Sequence, residues 1–369
     1  MLCFVPMIFT VAYGAVDVWA LGFQAIFVGL ILILWCLESF FTKEFRYSPS
    51  LLQIPLIALI LIGLVQFLPF RDGGNSLSLD SYSTRFAVIQ LIIYLVFFAT
   101  ALVFINSRKR LQRLVVSIII FASIMAFVGI LQYLAKLEAI YGLRLSGQAI
   151  PFASFVNQHH FAAFMEMSIG LTTALLFGKA VKKDKNLLLI IAAVIMGIAL
   201  ILTSSRGGFL SLLGVLAFII TANLLGKKEG ERSSGFRRNF ALIGGGVALG
   251  RRELLREVFQ VFLLGGDQSL LRGTGLQNAG GDLLSGRTHF WQTALKIFLD
   301  YPIFGVGLNA FGTAFPNYDT WNGTLRVEQA HNDYLQMLTE AGIVGFLCVT
   351  GFVFLLFKKT LRTLAKTTD

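Results

Sequence analysis

The chain has 369 residues, 56% of them hydrophobic and 14% charged, with a formal net charge of +11. Soluble domains run at about 25% charged residues, so this composition excludes an ordinary soluble protein and describes one that lives in a bilayer. The excess positive charge excludes nothing by itself, but it is gathered into short loops between apolar runs, which points to membrane orientation and away from nucleic acid.

In chain order, residues 1–12 are apolar but too short to span, with no basic region ahead of them. They read as an anchoring helix, not a cleaved signal peptide. Apolar runs follow at 18–37, 51–68, 86–105, 114–134, 161–177, 187–203, 209–225 and 345–357. Most approach the roughly 20 residues needed to cross the hydrocarbon core. Cys3, Cys36 and Cys348 fall singly in these runs and read as small buried hydrophobes, without the spacing of a disulfide or metal site.

The basic loops at 43–46, 108–113, 179–185, 227–238 and 358–366 hold 19 Lys and Arg. Alternate loops are therefore basic, and cytoplasmic loops carry that bias. Threading them inward predicts an all-α integral membrane protein, a polytopic bundle of about ten transmembrane helices with both termini inside. The thin point is the ninth span, because only 239–250 is uncharged there. Either it is a short span completed by neighbouring protein or it is re-entrant; the basic C-terminus favours the first.

On that topology, 251–336 is one large periplasmic segment. It carries 7 basic and 8 acidic residues, so it lacks the cytoplasmic bias. Leu254, Leu255, Val258, Phe259, Phe262 and Leu263 share one helical face. So do Phe290, Trp291, Ala294, Leu295, Phe298 and Leu299. Gly265-Gly266 and 273–281 separate these amphipathic helices as connectors.

Three arginines escape the loop rule. Arg206 lies in a tight Ser204-Ser205-Arg206-Gly207-Gly208 turn between two apolar runs. Arg287 opens the Trp291 helix, and Arg326 precedes His331. An isolated arginine at a membrane boundary usually snorkels to the headgroups; one wedged into a tight turn at membrane depth more often marks function. His331 stands where the polar segment re-enters an apolar run, and imidazole is the side chain whose unperturbed pKa suits proton exchange near neutrality.

These phrases resemble the O-antigen ligase and O-antigen polymerase family of bacterial inner-membrane glycosyltransferases. The matching residues are Thr203-Ser204-Ser205-Arg206-Gly207-Gly208, then Gly286-Arg287-x3-Trp291, then Tyr301-Pro302-Ile303-Phe304-Gly305-Val306-Gly307-x3-Phe311. His331-Asn332, nine residues and Gly342-x2-Gly345 complete the set. Phe155-Val156-Asn157-Gln158-His159-His160-Phe161-Ala162 is a weaker match, since the family often has a second Asn near position 159. The resemblance covers most of the chain, treated as a single polytopic domain over 1–369, and is strongest over 190–350.

The resemblance implies transfer of a glycan from an undecaprenyl-diphosphate carrier to an acceptor hydroxyl on the periplasmic side of the bacterial inner membrane. The acceptor is lipid A–core or another glycan, and the reaction is inverting, metal-independent and free of cofactors. The fold it implies is like that of the membrane-embedded class C glycosyltransferases. Arg206 and Arg287 would bind the diphosphate bidentately and stabilise its growing charge. His331 would be the general base. Arg326, Asn332 and Glu328 are further substrate-binding candidates, with Glu328 three residues before His331 placed to orient its ring if both share a helical face. Together these residues would form one pocket at the outer leaflet.

Other signals are set aside. Gly305-Val306-Gly307-Leu308-Asn309-Ala310 fits G-x-G-x-x-A, but no apolar strand precedes it, so it reads as a turn allowing close packing after Pro302. His159 and His160 would point apart on a helix, His289 stands alone, and neither suggests a metal. Glu166 lies inside an apolar run and could pair with an arginine or line the acceptor path. Asp17 and Glu38 sit near span ends. Polymerase and protein-glycosylating variants remain open, separated by acceptor. A transporter is the reading from another class, but no internal repeat is present, and the distinctive charges gather at one surface.

Overall fold

The computed structural model describes residues 1–69, 75–145, 150–178, 181–225, 287–321 and 327–368. The span expected at 239–250, the helix expected at 254–263, the connectors at 265–266 and 273–281 and Arg326 lie outside the described residues, as does the side chain of Arg206.

The described chain is helical apart from a two-residue antiparallel hairpin, β1 (Ala139–Ile140) with β2 (Arg144–Leu145). Its helices are α1 (Phe4–Val11), α2 (Val18–Thr42), α3 (Ile54–Val65), α4 (Ser81–Phe104), α5 (Arg108–Leu134), α6 (Gln158–Phe177), α7 (Asn186–Leu202) and α8 (Arg206–Leu225). After them come α9 (Arg287–Asp300), the one-turn α10 (Phe311–Ala314) and α11 (Asp333–Thr368). Five are long and apolar enough to cross a membrane: α2, α4, α5, α6 and Asp333–Thr363 of α11. Shorter apolar helices occupy Leu51–Val65, Asn186–Leu202 and Gly207–Thr221. The protein is therefore a multi-pass membrane protein, and each of the eight apolar runs read from the sequence falls largely on a helix.

Local chemistry sets where these helices begin. Ser107 caps α5 by accepting from Arg110 N–H at 3.3 Å, and Asn157 caps α6 by accepting from His159 N–H at 2.8 Å. Asp80 caps α4, accepting from Ser83 N–H at 3.0 Å. Burial works against the Asp80 charge, but hydrogen bonds from Ser83, Thr313 and Tyr82 outweigh it and hold the carboxyl below its usual range. Pro55 sits in the first turn of α3, where its missing N–H costs nothing. Hydroxyls inside the apolar helices bond back one turn, as Ser168 does to Phe164 and Thr172 to Ser168, so these groups do not face lipid unpaired.

The chain groups into two compact units. In the first (Met1–Phe23, Ile105–Ser269, Thr363–Asp369), α6 packs on both α7 and α8, and α5 on α7. Small and flexible side chains, Ala122, Ala126, Ala162, Met165, Met196 and Ala199, let these helices approach closely around Phe161. Thr10 O accepts from the Ser154 hydroxyl at 2.6 Å, and Asp17 pairs with Arg144 of β2. In the second unit (Gln24–Phe104, Leu270–Arg362), α3 packs on α4, and Leu308 and Ala341 join their cluster. Glu38 pairs there with Arg46 at 3.1 Å.

Asp17 and Glu38, near span ends, each form an ion pair. Cys36 is exposed, not buried. The α9 helix exists, but its buried stripe is Phe290, Thr293, Ala294 and Ile297, while Leu295 and Leu299 are exposed.

Candidate functional site

The second unit builds its site around a break in α11. The helix starts at Asp333, where Asn332 Oδ1 accepts from Tyr334 N–H (3.1 Å) and Leu335 N–H (3.3 Å). It is interrupted at Gly342, whose φ of 64° and ψ of −165° leave the helical region. Ile303 O lies where a Cβ at Gly342 would have to go. Pro302 O accepts instead from Ile343 N–H at 2.8 Å.

The stretch after α9 fits against this break as the second strand of a backbone-to-backbone contact. Val306 N–H donates to Thr339 O (2.9 Å) and Gly307 N–H to Glu340 O (3.1 Å). Gly305, at φ 70°, runs so close to Glu340 that a side chain would collide with its carbonyl. The Gly305-Val306-Gly307 phrase is thus a close-packing turn, as its lack of a preceding strand suggested. Gln66, fully buried, ties three segments together: its Nε2 donates to Phe304 O (2.6 Å) and Glu340 O (2.8 Å), and its Oε1 accepts from Leu308 N–H (2.9 Å). The Glu340 side chain accepts from Asn309 N–H (2.9 Å) and from Gln336 Nε2 (2.6 Å).

A positive φ, ψ pair like that of Gly342 is essentially confined to glycine, with a cost of order 1–3 kcal/mol for other residues. Gly342→Ala is expected to lower the unfolding temperature of the purified protein by several degrees. Gly351→Ala, a helical position with nothing within 4 Å of the added Cβ, is expected to leave it unchanged or slightly higher. Equal melting of the two variants would remove the argument.

His331 sits one residue before the α11 cap. It is exposed and adopts φ 51°, a left-handed backbone that costs about 1–2 kcal/mol for an L-residue. Ala330 beside it is held at both ends: its N–H donates to Gln336 Oε1 (2.6 Å), and its C=O accepts from Trp291 Nε1 (3.0 Å). The Phe290 ring centroid lies 6.0 Å from that of His331. The first turn of α9, which opens with Arg287, therefore stands beside the imidazole.

That turn is itself anchored. His289 Nε2 and Asp319 Oδ1 are 2.7 Å apart, and the imidazole stacks on Trp321 at 4.1 Å and 8°. His289 is thus paired, not alone, through a carboxylate thirty residues on. At the far end of α9, Asp300 accepts from the Tyr318 hydroxyl at 2.7 Å. Burial, with the Asp300 carboxylate behind it, pushes that phenol well up, so it stays a neutral donor. The core beneath comprises Phe290, Ala294, Ile297, Val306, Phe311 and Phe315.

Glu328 does not share a helical face with His331, because 327–332 is non-helical and α11 begins only after its Asn332 cap. The Glu328 carboxylate lies instead against Gly312, where a Cβ would collide with it. The shared helical face expected of the two residues is not formed. Asn332 spends its side-chain oxygen on the cap.

The first unit holds the other arginine phrase. Thr203 Oγ1 donates to Leu200 O (2.6 Å) and accepts from Ser205 N–H (3.3 Å), ending α7 tightly. Ser204 adopts φ 53°. Ser205 then caps α8, its Oγ accepting from Gly208 N–H at 3.3 Å, and Arg206 is the first residue of that helix. His159 Nδ1 hydrogen-bonds the same Oγ at 3.0 Å. The phrases around His159 and Arg206 therefore meet within this unit, at the adjoining N-termini of α6 and α8. Both ends carry the partial positive charge that favours anions. Among the described residues, Glu166 faces the Ser211 hydroxyl of α8.

Sequence reasoning missed Gln66, Trp291 as a donor, Gln336, and the pairings of His159 and His289. An amide in the apolar run at 51–68 was the one visible signal.

Residues 191–350 match the protein-family model described as O-Antigen ligase. The match runs from within α7 past the α11 break and takes in the Arg206, Arg287, Pro302 and His331 phrases. No curated protein and no solved structure matches the chain.

Proposed function

We propose that this multi-pass protein moves a glycan from an undecaprenyl-diphosphate carrier to an acceptor hydroxyl at the periplasmic face of a bacterial inner membrane. One observation carries the reading. An exposed imidazole is held on a clamped backbone at a helix start, beside the turn that opens with Arg287. The match of 191–350 to the O-antigen ligase family supports it, since enzymes of that family are glycosyltransferases acting on lipid-linked glycans.

In the reaction, the acceptor oxygen bonds the anomeric carbon of the carrier-linked sugar as His331 takes its proton. The bond from that carbon to the phosphate oxygen breaks with inversion, and its electron pair leaves on the diphosphate. Arg206 and Arg287 bind that diphosphate, and fixed donors of this kind stabilise charge more as it grows than before. The start of α8 adds its own partial positive charge beside Arg206. Arg326 and the amide nitrogen of Asn332 contact the glycan. In this reading the reaction runs on guanidinium and imidazole groups without a metal. The chain acts as one polytopic domain of about ten spans.

The test is to incubate purified protein with an undecaprenyl-diphosphate glycan and three acceptors in turn: lipid A–core, a second carrier-linked glycan, and a Ser/Thr peptide. Transfer to lipid A–core is expected, at a rate unchanged by chelators. Lengthening of the carrier-linked glycan would make the protein a polymerase, and glycosylation of the peptide a protein ligase. Loss of rate on chelation would overturn the metal-independent reading.

A further inference from the structure

We infer that Gln336 and Trp291 are positioning residues that set the imidazole of His331 by clamping the backbone of Ala330. This inference rests on the glycan-transfer reading and deepens it.

The physical problem is the left-handed backbone at His331 (φ 51°). Exposure limits what the histidine's own packing can do to keep such a conformation, so neighbouring groups must over-determine it. A hydrogen-bond chain leading out of the interior does so. Glu340 is 7% exposed. One of its oxygens is taken by Asn309 N–H, and the other accepts from Gln336 Nε2 at 2.6 Å. The Ala330 N–H can only donate, so it dictates that the carbonyl end of the Gln336 amide faces it and the NH2 end faces Glu340. That carbonyl accepts the Ala330 N–H at 2.6 Å. On the other side, Trp291 gives its only donor to Ala330 O at 3.0 Å.

Neither residue needs to meet the acceptor sugar. They act through the residue next to His331, and Trp291 does so from a position one turn after Arg287 on α9. A general base must come within about 2.6–3.2 Å of its proton, and a misplacement of about 1 Å can cost about 10²-fold in rate. This chain of contacts is thus where small backbone shifts become losses of turnover.

The experiment uses the full-length protein and steady-state transfer from an undecaprenyl-diphosphate glycan to its acceptor, with folded protein quantified for each variant. Gln336→Leu is expected to lower kcat roughly 30- to 100-fold, with the donor KM within about twofold of wild type. Gln336→Glu is the discriminating variant. With one proton shared between the introduced carboxyl and that of Glu340, the geometry copies the glutamine, whereas two ionised carboxylates there repel each other. The kcat of this variant relative to wild type should approach unity on the acid side, where the pair holds its shared proton, and fall toward the Gln336→Leu level as alkaline pH removes it. Trp291→Phe, which keeps a ring but no N–H, should lose about three- to tenfold in kcat.

Wild-type kcat per folded molecule in Gln336→Leu, or a Gln336→Glu to wild-type ratio flat with pH, would overturn the inference while leaving glycan transfer standing. Absence of transfer by the wild-type protein would overturn the underlying reading and this inference with it.

Discussion

Replacing His331 with alanine is expected to reduce glycan transfer by about 10²- to 10⁴-fold, the range typical of a lost general base, while the protein inserts and accumulates at wild-type levels. The second half of that expectation comes from the geometry. The side chain is exposed, so its removal opens no cavity. The flanking backbone is held by Gln336 and Trp291 on one side and by the Asn332 cap on the other. His331→Asn sharpens the comparison. Asparagine tolerates a left-handed backbone better than most residues yet cannot take up the proton. An asparagine variant as folded as wild type and as inactive as the alanine variant would isolate the proton transfer from the shape of the turn. Full activity in either variant would remove His331 from the chemistry.

Arg206→Lys has the second large expected effect, a fall of about 10- to 100-fold in kcat/KM for the lipid-linked donor. Lysine keeps the positive charge but offers a point donor in place of a planar fork, so it cannot make two parallel hydrogen bonds to a diphosphate. The turn around it should survive, because it is built from other groups: Thr203 to Leu200 O, Ser205 N–H to Thr203, and Gly208 N–H to Ser205. An unchanged rate would mean that Arg206 simply reaches the lipid headgroups. Donor kinetics of purified Arg206→Lys beside wild type decide it.

Much of this architecture was legible in the sequence because the bilayer imposes a simple rule. A segment that crosses hydrocarbon must be long, apolar and helical, and the runs at 18–37, 86–105 and 114–134 became α2, α4 and α5 nearly as read. The turn at Gly305-Val306-Gly307 was legible for a similar reason, since closely spaced glycines after a proline announce close packing. Its partner was not. Thr339 and Glu340 lie more than thirty residues further on, and a backbone-to-backbone contact leaves no side-chain pattern to read.

The site divides along the same line. Residue types singled out His331 and the arginines as candidates, because ionisable groups at a membrane boundary are costly to keep. Their supports stayed hidden. Glu328 was misjudged because three-residue spacing implies a shared face only inside a helix, and here Asn332 starts the helix after His331. That capping signal, an Asn directly ahead of an amphipathic run, was available and would have corrected the error. The His289–Asp319 pair, the Gln66 ties to Phe304 and Glu340, and the His159–Ser205 contact join residues 30 to 274 positions apart. They follow from tertiary packing, to which local periodicity is blind.

A protein that breaks the sugar–phosphate bond of a lipid carrier and hands the sugar to a hydroxyl must release two products together. The most direct measurement follows both at once, using purified protein in liposomes with an undecaprenyl-diphosphate glycan and its acceptor. Free undecaprenyl diphosphate and glycosylated acceptor are expected in equal amounts, and His331→Ala is expected to produce neither. Solute uptake into the liposomes with the carrier-linked glycan left intact would contradict glycan transfer.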